Sequence, residues 1–356
     1  MNTDFDELKQ VVEQAHNACD VFGALGGEQA VALRRRFREL AQIAHPDHNH
    51  GRAAEATALF QALHDWLRIA EQELVDGSYG QTARFVVESR ANRYTVDRDP
   101  LQGDLADLFG ANLDGTRVLL KAARSENNVD LMRAEAEALR TLARALDGQP
   151  VQAHFPTLVE QFQLADSTGV RRTTNVLREE KAAVTLAAVV RAYPRGLPLA
   201  DAAWMFNRML TALAISHANG LVHGAVLLPH MLIRPDDHNG MLIDWCYSVA
   251  SGDTVRSISP TWRNEYPPEV LARQAATPAT DIFMAGRCMV RLLGGTGDLA
   301  SLPTSTPPTL RRLLQTCLLP APARRSDDAW QVFDDFKTIL QTLYGPPSFR
   351  LFAMPI

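Results

Sequence analysis

The sequence predicts an α+β protein in which a small helical part is followed by a larger mixed part. Three observations carry this. Apolar residues recur every three to four positions through the first 74 residues, the spacing of helices that bury one face. Asp114-Gly115 sits between two strand-like runs, a strong hairpin signal. Leu199–His217 is a long apolar helix that runs into Gly220, two short apolar strands, a turn at His238–Gly240 and a third strand ending in Asp244.

At 356 residues the chain is long enough for two domains. It is 46% hydrophobic and 22% charged, as soluble globular proteins are. A net charge of −5 gives no reason to expect nucleic acid as a partner. Cys19, Cys246, Cys288 and Cys317 form no C-x-x-C pair, which argues against a zinc ribbon or a disulfide framework. The start, MNTDFDELK, is acidic and lacks the apolar stretch of a signal peptide, and the longest apolar runs are about half a membrane span. A cytoplasmic protein with no membrane partner is the expectation.

Residues 4–17 read as an amphipathic helix with Phe5, Leu8, Val11 and Val12 on one face. Ala30–Ala44 is a second helix, with Leu33, Phe37, Leu40 and Ala44 inward and Arg34, Arg35 and Arg38 outward. Pro46 stops it, because proline has no N–H and restricts the residue before it. After the loop His48–Arg52 a further helix places Phe60, Leu63, Leu67 and Leu74 on one face. Two helices joined by His45-Pro46-Asp47, the first with a basic outer face, resemble a J domain over roughly Asp20–Leu74. The resemblance implies docking on an Hsp70-type chaperone and stimulation of its ATPase. His45, Pro46 and Asp47 would be the essential loop, and Arg34, Arg35 and Arg38 the contact surface. Residues 1–76 hold seven Lys and Arg against thirteen Asp and Glu, yet four of the seven lie in Arg34–Arg38. Charge clustered in this way steers association with an acidic partner. His48 stands where the family usually has Lys, and no Gly/Phe-rich linker follows. His45, His48 and His50 lack the further ligands of a closed metal site, so no metal is expected there.

Residues 77–92 read as a junction, with short strands at Arg84–Glu88 and Arg93–Val96 around a turn at Ser89–Asn92. From Arg93 to Tyr344 the order of features resembles a bilobal protein kinase, with an N-lobe over 93–178, a C-lobe over 179–344 and a tail over 345–356. V-L-L-K ends in Lys121, which matches the phosphate-contacting Lys. Glu135, four residues before Leu139 on a helix, matches its partner. Asp244 matches the metal Asp, Glu269 the Glu of A-P-E, and Asp281 the buried Asp that holds the catalytic loop. Arg324 or Arg325 matches the Arg that pairs with Glu269.

The chemistry positions differ. Counted from His223, Ala225 stands in place of the base Asp and His230 in place of the metal Asn. Of the three loop glycines only Gly103 remains, with Leu101 and Ala106 at the others and Asp104 and Asp107 close by. Trp245 and Cys246 replace the Phe and Gly after Asp244, and Cys246 would tolerate positive φ poorly. The expectation is therefore a pseudokinase, not an enzyme, with no cofactor and a degenerate cleft for ATP and magnesium. Such a chain would be an adaptor or sensor, pairing an Hsp70-recruiting module with a module that recognises an unknown protein partner. Two other readings stay open: an atypical active Ser/Thr-type kinase, and an interaction subunit of a bacterial stress or phage-defence complex.

Overall fold

The computed structural model describes residues 5–15, 17–75, 77, 79–80, 84–97, 100–165, 171–346 and 348–354. The chain divides into two compact units, Met1–Leu101 and Gln102–Ile356. Ser78 and residues 81–83 of the expected junction lie outside the described residues.

The first unit opens with α1 (Phe5–Gln14), α2 (Ala18–Phe22), α3 (Gln29–Ala44) and α4 (Ala53–Val75). Its core follows the periodicity, with Leu8, Phe22, Leu33, Leu40, Ala44 and Leu63 buried and Phe37, Phe60, Leu67 and Leu74 packed against them, but Val11, expected on the same face of the first helix, is exposed. Asn17 caps α2 reciprocally, accepting from Asp20 N at 3.0 Å while Asp20 accepts from Asn17 N at 3.2 Å. Pro46 opens a single 3-10 turn, Pro46–His48, once α3 has ended. A charged clasp joins α1 to the start of α4: Arg52 reaches Asp6 at 2.6 Å and Lys9 reaches Glu55 at 2.7 Å. Strands β1 (Arg84–Glu88) and β2 (Arg93–Asp97) form an antiparallel hairpin with Arg84 opposite Asp97 and Glu88 opposite Arg93. The Ser89 hydroxyl accepts from Asn92 N at 2.9 Å and closes its turn. A two-residue strand, β3 (Leu101–Gln102), stands at the division.

The second unit begins with an antiparallel sheet of β4 (Ala106–Leu113), β5 (Thr116–Ala123), β6 (Leu158–Ala165) and β7 (Arg171–Arg178), adjacent in the order β4–β5–β7–β6. Asp114 (φ 47°) and Gly115 (φ 83°) make the β4–β5 turn, and Asn112 accepts from Gly115 N at 2.8 Å. Both central residues have positive φ, as the twist of a two-residue hairpin requires. Helix α5 (Val129–Ala145) packs on β6 and β7.

The rest is mainly helical. Short β8 (Val184–Thr185) and α6 (Leu186–Ala192) lead to α7 (Leu199–Ala218), whose middle is buried all round. Next come β9 (Leu221–Val222), the hairpin β10 (Met231–Arg234) and β11 (Asn239–Leu242), and β12 (Val249–Ala250). β11 stops two residues short of Asp244, so Asp244 lies in the turn that follows the strand. Helices α8 (Pro268–Leu271), α9 (Pro278–Leu292), α10 (Pro308–Cys317) and α11 (Ala329–Tyr344) complete the unit. Among the described residues no helix is long and apolar enough to cross a membrane.

Gly196 (φ 83°) lets two loops touch, since a Cβ there would lie 2.3 Å from Leu293 C and 2.4 Å from Gly294 N. Gly220 (φ 74°) faces open space. Gly196→Ala is expected to cost at least about 2 kcal/mol, from a left-handed backbone plus overpacking, and Gly220→Ala about 1 kcal/mol, from the backbone alone. Urea unfolding of the two variants measures the difference, and equal costs would show that the close approach is not tight.

Candidate functional site

Lys121 projects from the middle of β5 and is 5% exposed. Its ammonium donates to Glu135 Oε1 at 2.8 Å and to Asp244 Oδ1, and lies 3.6 Å from Cys246 Sγ. Glu135, on the inner face of α5, is fully buried, and its second oxygen accepts from Asn175 Nδ2 at 2.8 Å. Asn175 also donates to Met132 O at 2.9 Å and accepts from Gln161 at 2.7 Å. Asn175 and Gln161 were missed by sequence reasoning. The available signal was Thr173-Thr174-Asn175, three polar residues in a strand that turns out buried.

Burial pushes the Lys121 pKa down, but the charges around it, Asp244 foremost, outweigh burial and hold it well above the usual lysine value. Burial pushes Asp244 up, and Lys121 and then His230 overcome that, leaving its carboxyl well below the usual range. The Cys246 thiol, which donates to Asp244 Oδ1 at 2.8 Å, is pushed well up by burial and then by that carboxylate. Lys121 is thus held cationic, Asp244 anionic and Cys246 protonated.

The loop before this trio is fixed by Asp281, at the start of α9. Its carboxylate accepts from His223 N at 2.7 Å and Gly224 N at 2.9 Å, and lies 2.9 Å from His217 Nε2. His223 donates from Nε2 to Ile243 O at 2.9 Å and accepts at Nδ1 from Ala225 N at 3.3 Å, so its ring is neutral. Ala225 is fully buried, and only its backbone is used, its carbonyl lying 2.8 Å from His230 Nδ1. His230 Nε2 lies 3.0 Å from Asp244 Oδ2. Glu269 pairs with Arg325, not Arg324, at 2.7 and 3.3 Å, and also accepts from Thr280 at 3.1 Å. Breaking such a buried pair from one side costs about 3–5 kcal/mol.

Two details differ from expectation. Positive φ falls on Asp244 (68°), while Cys246 lies in the one-turn helix Trp245–Tyr247. A carboxylate residue tolerates the left-handed region better than most side chains, so losing the glycine does not strain position 246. Asp104 does not point freely toward the cleft, because it accepts a hydrogen bond from Ser259, and Asp107 lies 3.4 Å from Arg124.

In the first unit the His45–Asp47 loop presents its chemistry outward, with side-chain exposures of 42% for His45 and 83% for Asp47. Asp47 N donates to His45 Nδ1 at 3.2 Å, and Asn49 ties the loop to Ile43 O and His45 O at 2.9 and 3.0 Å. Arg34, Arg35 and Arg38 are exposed, but Arg34 reaches Glu71 on α4 at 3.4 Å, which shares part of that charge within the unit.

A lysine–glutamate pair joined to an aspartate after a β-hairpin, beside a loop pinned by a buried aspartate, is the frame of a kinase-like domain, and the comparison with known proteins supports that class. The chain is 26% identical over 262 residues to serine/threonine-protein kinase PknA of Mycobacterium tuberculosis and of Mycobacterium bovis. The match takes in 66% of this chain and 58% of the relatives, so the chain spans a little over half the length of the curated relatives it matches. No family model matches.

This overturns the expectation of a non-enzyme. The relatives are Ser/Thr protein kinases, and Ala225 removes one proton acceptor from a site whose Lys121, Glu135 and Asp244 stand together.

Burial holds the His223 pKa down at about 4, from an ordinary 6.5. Between those pH values the unfolded chain binds a proton that the folded chain refuses. Stability is therefore whole above pH 6.5 and falls by roughly 3 kcal/mol as pH drops to 4. Urea unfolding across this range is expected to show the loss and His223→Gln to reduce it; equal slopes would remove His223 as the cause.

Proposed function

We propose that the second unit is an atypical Ser/Thr-type protein kinase domain, and that the first unit is a J-like module that brings an Hsp70-type chaperone to it. The kinase reading rests above all on the buried Lys121 ammonium held between Glu135 and Asp244. Phosphoryl transfer in such sites is positioning plus charge stabilisation, with little covalent chemistry for the protein to do. Losing a general base costs about 10²–10⁴-fold in rate, so Ala225 makes a slow enzyme. Asp244 would hold a metal ion and Lys121 the phosphates of ATP, the ion supplying charge neutralisation. The residues fit such a group: one carboxylate with phosphate oxygens commonly suffices for a divalent ion, Asp244 is 25% exposed, and its Oδ2 is not taken by Lys121.

The chaperone reading is supported by an exposed Asp47, a loop pre-shaped by Asn49, and the outward arginines. Tethering the two modules gives the kinase a high local concentration of whatever the chaperone holds. Chaperone-held proteins presenting Ser or Thr hydroxyls are then its substrates.

Incubating the full chain with labelled ATP and divalent metal is expected to give slow autophosphorylation that is lost in Asp244→Asn. An unlabelled native chain, or equal label in the variant, would sink the kinase half. For the other half, the full chain is expected to stimulate the ATPase of a purified Hsp70, and Asp47→Asn to abolish the stimulation. Undiminished stimulation by the variant would remove the chaperone role.

A further inference from the structure

Two halves of the second unit are tied together at a point outside the trio of Lys121, Glu135 and Asp244. The turn before β4 is closed by Gly103 N donating to Ala106 O at 3.0 Å, which leaves Asp104 and Leu105 at its tip. β4 pairs with β5 so that Leu108 lies opposite Lys121, and Asp104 is therefore at most about 14 Å of chain from that point. The Asp104 carboxylate accepts from the Ser259 hydroxyl, in the segment that follows β12. Ser259 is fully buried, although Asp104 as a whole is exposed. The bond joins the sheet half, beside the Lys121 site, to the helical half that carries Asp244.

We propose that the Asp104–Ser259 bond is an autoinhibitory latch, which holds the two halves closed over the Lys121–Asp244 centre and must break before a nucleotide can enter. This rests on the kinase reading for what enters, though not for the latch itself. Three observations carry it. The Asp104 end is anchored: Arg124 Nη1 donates to Gly103 O at 3.0 Å, Arg124 N to Leu105 O at 3.0 Å and Asn128 Nδ2 to Leu105 O at 2.8 Å. The Ser259 end is anchored as well: Ser259 N donates to the hydroxyl of the buried Tyr266 at 3.0 Å, and Arg273 Nη1 donates to Arg256 O at 3.0 Å. The segment between Asp244 and Ser259 also lies against the loop of Ala225, because a Cβ on Gly224 would be 2.7 Å from Tyr247 O and 3.2 Å from Val255 Cγ2.

A bond between two loose loops would adapt to a guest. Here each end is fixed to its own half, so the halves separate at this edge only when the bond breaks. A hydrogen bond to a charged group weights such an equilibrium by about 10–100-fold. The open state is depleted by that factor, and the apparent affinity of anything that needs it falls in proportion. A carboxylate at the mouth also repels the phosphates of a nucleotide, an effect separate from the latch.

The test uses the full chain with Ser259→Ala, with Asp104→Ala and with both, circular dichroism showing the fold kept. Amide hydrogen exchange is read at residues 103–107 and 255–262, since it reports local opening. Each single substitution is expected to speed exchange in both stretches about tenfold, the lower end for a hydrogen bond to a charged group. The double variant is expected to go no further, because two partners in one bond do not add. Entry of a fluorescent ATP analogue with magnesium, followed by stopped flow, should quicken about tenfold in Ser259→Ala, which leaves the Asp104 charge in place. Exchange that rises only beside the substituted residue, or that adds up in the double variant, would overturn the latch. So would coupled exchange with no faster entry in a chain that binds the analogue. If Asp104→Ala does not fold, exchange at 103–107 in Ser259→Ala decides alone. An analogue bound by none of the chains would remove the kinase reading, while coupled exchange would still leave the two halves latched.

Discussion

A charged ammonium buried beneath a β-sheet must be compensated on the spot, and this requirement organises the second unit. Lys121 is drawn from β5, Glu135 from α5 and Asp244 from the turn after β11, positions far apart in the chain. Desolvating each charge costs several kcal/mol, repaid only by close opposite charge and hydrogen bonds on the remaining lone pairs. The second oxygen of Glu135 goes to Asn175, and Asn175 to Gln161 and to the backbone of α5. The trio therefore sets α5 against β6 and β7 and fixes where the chain turns after β11.

A second layer of buried charge holds the surrounding loops. Asp281 takes two successive backbone N–H groups and a histidine, and Glu269 takes Arg325 and Thr280. None of these touches the trio. They shape the stretch from His223 to His230, where Ala225 lends a carbonyl and no side-chain chemistry. The frame that would position a phosphate donor is kept, while the proton acceptor is absent and an imidazole stands beside the aspartate.

The first unit works by different physics. Its helices are stabilised by an apolar face, and its reactive-looking loop is held by backbone hydrogen bonds, so its polar side chains are left outside. Asp47 has no buried charge to satisfy, and its side chain is 83% exposed. Arg34 shares its charge with Glu71, which leaves Arg35 and Arg38 as the more available part of the patch.

Much of this was legible in the residues. Helical spacing located α1, α3, α4, α5 and α7, Asp114-Gly115 located the first hairpin of the second unit, and Pro46 located the end of α3. The positions of Lys121, Glu135, Asp244, Glu269 and Asp281 were marked by local motifs, because such motifs are set by backbone geometry over a few residues. Motif counting also misled: it treated Ala225 as the end of enzymatic function and placed backbone strain at Cys246. Only the tertiary structure decided that Asp244 takes the positive φ, that Arg325 and not Arg324 reaches Glu269, that Asn175 completes Glu135, and that His230 lies between two acceptors. Those outcomes depend on groups 5 to 56 residues apart meeting in a dry interior. Chain periodicity encodes which face is buried. Which polar atoms meet there is settled by packing, because an unpaired buried donor or acceptor costs more than the sequence pattern can reveal.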